Sequence, residues 1–164
     1  MTKGMVNAAL QGGRRYSHAK HYCRVCRNGD SDHRASDCPF LRAHLSGGRC
    51  FGYHQTSPEF GRQIRQTRVM RPSSTGAAGR GIYFAIRPEE TEGKARHKGC
   101  MVKAEIRMNN PKHVWQALSP NETYASLAAQ GHDGVIVHGY KSGVEIVVYH
   151  AEQVNVLRVH RRRQ

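Results

Sequence analysis

Val144-Glu145-Ile146-Val147-Val148-Tyr149 is an apolar run that carries one carboxylate. Its β-branched and aromatic residues mark a strand. An ionised carboxylate in such a run is costly to bury without a partner. It is kept mainly where the charge is paired or used. Two short phrases upstream supply the rest of a candidate site: Gly52-Tyr53-His54-Gln55-Thr56 and Gly79-Arg80-Gly81-Ile82-Tyr83-Phe84-Ala85. A histidine, a tyrosine and a glutamate thus stand on three strand-like segments, in that order.

Outward from these phrases the chain reads as strands mixed with short helices. Strands are expected at Arg49–His54, Gly81–Ala85, Cys100–Met108, Gly134–His138, Val144–His150 and Val154–Val159. A helix begins with Ser57 as N-cap and Pro58 at N1, and Phe60 and Ile64 share one of its faces. Residues 71–80 form a Gly/Ser loop, and a short helix opens near Pro88. Ser119-Pro120-Asn121-Glu122 has the form of a capping box, with a helix running to a stop at Gly131. His132-Asp133-Gly134 reads as a turn, and Trp115 as core. About six strands and three helices without regular βα alternation predict an α+β fold with a largely antiparallel sheet and short flanking helices.

With 164 residues, the chain has room for one ordinary domain and a small appendage. We divide it into a flexible basic arm (1–20), a Cys/His segment (21–48), a main domain (49–160) and a basic tail (161–164). No apolar stretch is long enough to cross a membrane. Met1 to Gln11 lacks the apolar core of a secretory signal. The expectation is an intracellular protein, cytoplasmic or nuclear. The formal net charge is +14, from 26 Lys and Arg against 12 Asp and Glu. That excess favours an anionic partner such as RNA, DNA or a phosphate-rich cofactor, with a solvated basic surface as the plainer alternative.

Cys23, Cys26, His33 and Cys38 form a Cys-x2-Cys-x6-His-x4-Cys set. Four such ligands suit tetrahedral Zn2+. The segment has few apolar residues, so metal would supply its folding energy. Asp32 to Pro39 resembles the second half of a CCHC zinc knuckle. The gap from Cys26 to His33 is two residues longer than usual there, and His21 is an alternative ligand. Knuckles often bind single-stranded nucleic acid through basic and aromatic residues. Arg24, Arg27, Arg34 and Tyr22 can serve here. The alternative is a zinc staple that only packs against the main domain.

The main domain resembles the ADP-ribosyltransferases of the poly(ADP-ribose) polymerase, diphtheria-toxin-like type. The resemblance covers about residues 49 to 159. It rests on Tyr53-His54-Gln55-Thr56-Ser57, on Arg71-Pro72-Ser73-Ser74-Thr75-Gly76 with Gly79-Arg80-Gly81-Ile82-Tyr83-Phe84-Ala85, and on Val144 to Tyr149 followed by Gln153-Val154. It implies a split sheet and NAD+ as substrate. Glu145 then stabilises the oxocarbenium-like ribose formed as nicotinamide leaves. His54 bonds a ribose hydroxyl, and Tyr83 stacks on nicotinamide. The Gln55 backbone holds the nicotinamide amide, and Thr91 stands for the family serine that bonds it. Thr56 contacts the adenosine side, while Arg71 and Arg80 flank adenine and diphosphate.

The chain departs from the family at two places. Gln55 replaces the glycine that usually follows the histidine. The second tyrosine, on the other side of nicotinamide, has no equivalent; Lys94 or Ala95 stands thereabouts. The implied activity is single transfer of ADP-ribose to a protein or nucleic-acid acceptor. The rival is a zinc-binding module of the same fold that binds RNA or DNA with weak or no catalysis. NAD+ hydrolysis is a further alternative. The Arg/His set of tRNA 2′-phosphate transfer is missing, and residues 76–81 lack the Lys-Ser/Thr of a P-loop.

Overall fold

The computed structural model describes residues 48–140 and 143–162. The basic arm and all four proposed zinc ligands lie outside the described residues. Among the described residues seven strands form one sheet. They are β1 (Arg49–Thr56), β2 (Ile82–Ala85), β3 (Cys100–Arg107), β4 (Pro111–Trp115), β5 (Gly134–Tyr140), β6 (Gly143–Val148) and β7 (Val154–Arg161). Their order is β4-β5-β6-β2-β1-β3-β7. Only β4 and β5 run parallel; the other neighbours are antiparallel. Two α-helices, α1 (Pro58–Thr67) and α2 (Tyr124–Ala129), and two short 3-10 turns complete the α+β fold.

Alternation along the strands builds two apolar layers. Phe84, Ile106, Ile136 and Ile146 belong to the first, and Ile64 of α1 packs against it. Helix α1 comes so close to β3 that a Cβ on Gly61 would meet the Cys100 sulfur at 2.5 Å. Val135, Val137 and Val147 belong to the second layer, with Leu127 of α2 and Ala78. Every residue of β6 is buried. A continuous apolar run fits a strand covered on both faces.

The expected N-cap of α1 is in place: Ser57 Oγ accepts from the Phe60 N–H, and Pro58 opens the helix. Phe60 does not share the core with Ile64. It is half exposed, with its ring 6.4 Å from that of His97. Helix α2 starts later than the sequence suggests. Glu122 does reach back to the Ser119 N–H, but its carboxylate is also paired with Lys112 and closes only a turn. The working N-cap is Thr123, in a box with Ser126. Gly131 then stops the chain at φ +82°, a region where glycine is favoured. Strand β4 was not expected. It is short and begins with proline, which an edge strand tolerates. Trp115, read as core, is only half-buried on it. Arg161 belongs to β7 rather than to a frayed tail, and the Arg162 N–H donates to the Gly99 carbonyl.

On β4 and β5, His113 Nδ1 and His138 Nε2 lie 2.9 Å apart, with the rings stacked. Burial, and then the neighbouring His113, pulls the His138 pKa down to about 3. The unfolded value is about 6.5, so the fold favours neutral His138. Its contribution is complete above that pH and is lost as pH falls toward 3. Between pH 6.5 and 5 the expected loss is about 2 kcal/mol. Urea unfolding at both pH values checks this. His138→Asn should flatten the dependence, and an equal slope in both proteins would contradict it.

Candidate active site at the seam of the sheet

Strands β1 and β2 share one pair of Cα partners, Tyr53 and Ala85. Strands β1 and β3 pair along their full length, from Arg49 with Arg107 to Thr56 with Cys100. The sheet is therefore nearly parted at the β1–β2 seam. Around that seam stand the three residues singled out by sequence.

Ala85 of β2 pairs with Glu145 of β6, and Tyr83 pairs with Val147. Tyr83 and Glu145 are thus diagonal neighbours on one face, about 7–8 Å apart in an antiparallel ladder. Glu145 is 94% buried, at 6% relative exposure. The Tyr83 hydroxyl is fixed by the loop before β2. It accepts from the Ala78 N–H at 3.0 Å and donates to the Gly79 carbonyl at 2.5 Å. A Cβ on Gly76 would strike that hydroxyl at 2.1 Å, so glycine is required for the loop to close over it. Tyr149 anchors the same loop by donating to the Ala78 carbonyl at 2.8 Å.

His54 leaves β1 on the opposite face, edge-on to Phe84 with ring centres 6.2 Å apart. It crosses the seam by a different route: its Nδ1 lies 2.9 Å from the Tyr83 carbonyl. A carbonyl only accepts, so Nδ1 carries the proton and Nε2 the lone pair. Burial lowers the His54 pKa, against the opposing effect of the Tyr83 carbonyl. The ring is a neutral acceptor at Nε2. Thr56 is buried two residues further along β1.

Gln55 and Thr91 are tied to each other. Thr91 Oγ1 lies 2.9 Å from Gln55 Oε1 and 2.6 Å from the Pro88 carbonyl. Arg162 also donates to Gln55 Oε1, at 3.2 Å, and pairs with Glu92. Both Gln55 and Thr91 are buried. The donor of the Thr91 hydroxyl is thus engaged inside the protein. Arg71 and Arg80 lie exposed at the two ends of the 71–80 loop. Neither makes an ion pair among the described residues.

Sequence reasoning did not foresee the role of Lys94. Its ammonium donates to the Val144 carbonyl at 2.9 Å, immediately before Glu145. It also lies 3.7 Å from the Glu90 carboxylate, and both side chains are almost fully buried. A Cβ on Gly143 would press into the pair. The Glu-x3-Lys spacing was the available signal. Among the described residues no group of three or more His, Cys, Asp and Glu side chains is placed to hold a metal. Cys50 and Cys100 are buried free thiols, and burial pushes Cys50 up to about 12. Compared with known proteins, the chain matches no family model and no curated protein.

Proposed function

We infer that the chain is an NAD+-dependent ADP-ribosyltransferase of the His-Tyr-Glu type, with an ADP-ribosyltransferase-like fold. The observation that carries the reading is the register at the seam. It sets Glu145 diagonal to Tyr83 on one face, while His54 bonds the Tyr83 backbone. The motif resemblance asks for those three groups. In this role Tyr83 offers a ring whose hydroxyl is already anchored, so its orientation is preset for nicotinamide. His54 Nε2 accepts from a ribose hydroxyl. Arg71 and Arg80 supply exposed cations for the diphosphate.

As the bond to nicotinamide lengthens, positive charge grows on the ribose. Glu145, held in a buried strand, faces that charge with a carboxylate that little water screens. ADP-ribose then passes to a protein or nucleic-acid acceptor in a single transfer. Incubation with NAD+ labelled on the adenylate tests the reading. Label transfer together with free nicotinamide is expected. NAD+ binding without nicotinamide release would sink it.

A second reading is favoured by the Gln55–Thr91 bond, because the hydroxyl expected to hold nicotinamide is occupied. On that reading the domain is a catalytically weak module that binds RNA or DNA. The same assay separates the two. The Cys23, Cys26, His33 and Cys38 set belongs to the proposal as a zinc knuckle. Metal analysis of the purified protein should give one zinc per chain, and a chain free of zinc would remove it.

A further inference from the structure

One line of paired residues crosses the whole sheet. Val114 pairs with Val137, Val137 with Glu145, Glu145 with Ala85, Ala85 with Tyr53, Tyr53 with Lys103, and Lys103 with Arg158. Paired residues point to the same face. On β4, β5, β6 and β2 this face is covered by the second apolar layer. On β1, β3 and β7 it is more exposed: Phe51 is 44% exposed, Arg49, Arg107 and Arg158 are exposed, and Tyr53 and Lys103 are half-exposed.

Two aromatic rings therefore stand on adjacent positions of the face, with cations around them. Lys103 Nζ lies 5.2 Å from the Phe51 ring centre and 6.0 Å from that of Tyr53. Among the described residues paired along this face, Arg49, Lys103, Arg107 and Arg158 are set against one carboxylate, Glu105, which lies 3.8 Å from Arg49. Exposed rings on a strand face suit unstacked bases, and flanking cations suit the phosphates between them. A duplex hides its base faces and cannot use the rings. An acidic peptide could use the cations but has little need of the rings.

We propose that the exposed side chains of the β1–β3–β7 face bind single-stranded nucleic acid, with bases on Phe51 and Tyr53 and phosphates on Lys103, Arg107 and Arg158. The line from Tyr53 through Ala85 to Glu145 spans two strand spacings, about 10 Å. A strand held on this face thus lies about two strand spacings from the buried candidate carboxylate, beside the β1–β2 seam, and is the candidate acceptor. That delivery rests on the transferase reading; the binding does not.

The test uses the full chain without NAD+ and fluorescein-labelled single-stranded RNA, single-stranded DNA and duplex DNA of equal length. Anisotropy should show both single strands bound more tightly than the duplex. The RNA and DNA arms identify which sugar is preferred. Affinity should fall with salt at a slope of about 2, from roughly 0.7 per phosphate contact. Phe51→Ala with Tyr53→Ala should weaken binding by about tenfold or more, and Arg158→Glu should lower both affinity and salt slope. Phe51→Leu keeps an apolar side chain and removes the ring. It should still lose affinity, which separates stacking from a general loss of fold.

Binding unchanged by the ring and Arg158 substitutions would overturn the proposal and move the contact elsewhere in the chain. Absence of binding at low salt would overturn it too. So would equal binding of a poly-glutamate peptide that ignores loss of the rings. Nicotinamide release is measured in parallel. Release intact in Phe51→Ala, with binding unaltered, removes the platform alone. Binding to the rings without release leaves the platform and removes the transferase.

Discussion

Glu145→Gln is expected to lower the rate of nicotinamide release and ADP-ribosyl transfer by about a hundredfold to a thousandfold, the cost of removing one preorganised charge stabiliser. Affinity for NAD+ should change little, because the lost interaction belongs to the transition state. The substitution conserves shape in a strand whose every residue is buried. His54→Ala should behave differently. It removes the proposed acceptor for the ribose and the contact with the Tyr83 carbonyl. Its effect should appear mainly as weaker NAD+ binding, about tenfold for one lost hydrogen bond. Single-turnover rates and equilibrium binding, measured on both variants, separate the roles. Full activity in Glu145→Gln would remove the carboxylate from the mechanism.

The second large effect is on stability. Lys94→Met leaves the Glu90 carboxylate buried without its cation, and removes the hydrogen bond that Lys94 gives the Val144 carbonyl. Breaking a buried pair from one side typically costs about 3–5 kcal/mol. Replacing both partners, with Glu90→Leu and Lys94→Met, should recover most of that loss, because the Glu90 charge is removed together with its cation. Urea denaturation of the two variants reads the difference. A single variant within about 1 kcal/mol of the parent would show that the pair is solvated in solution.

Much of this fold is legible in local sequence. The aromatic residues of β1, the β-branched residues of β3, β6 and β7 and the Ser57-Pro58 start of α1 are short-range signals, and they appear in the structure where expected. Strand β4 was not legible, because Pro111-Lys112-His113-Val114-Trp115 has neither clean alternation nor length. The start of α2 was misread because Glu122 serves Lys112 as well as the Ser119 backbone, a choice made by tertiary contact. Phe60 followed helical periodicity but not the core, since Gly61 takes the closest approach to β3.

The site divides in the same way. His54, Tyr83 and Glu145 could be picked out as residue types in order. Their mutual placement depends on strand register, which joins segments far apart in the chain. The Arg162–Gln55 bond spans 107 positions, and no local pattern announces it. It gives the residue that departs from the family pattern a fixed side chain, shared with Thr91.

The most direct measurement is the position of NAD+ or a nicotinamide analogue bound to the protein. The nicotinamide ring is expected against Tyr83, the adjoining ribose beside the Glu145 carboxylate, and the diphosphate between Arg71 and Arg80. A ligand bound away from Tyr83 and Glu145 would contradict it.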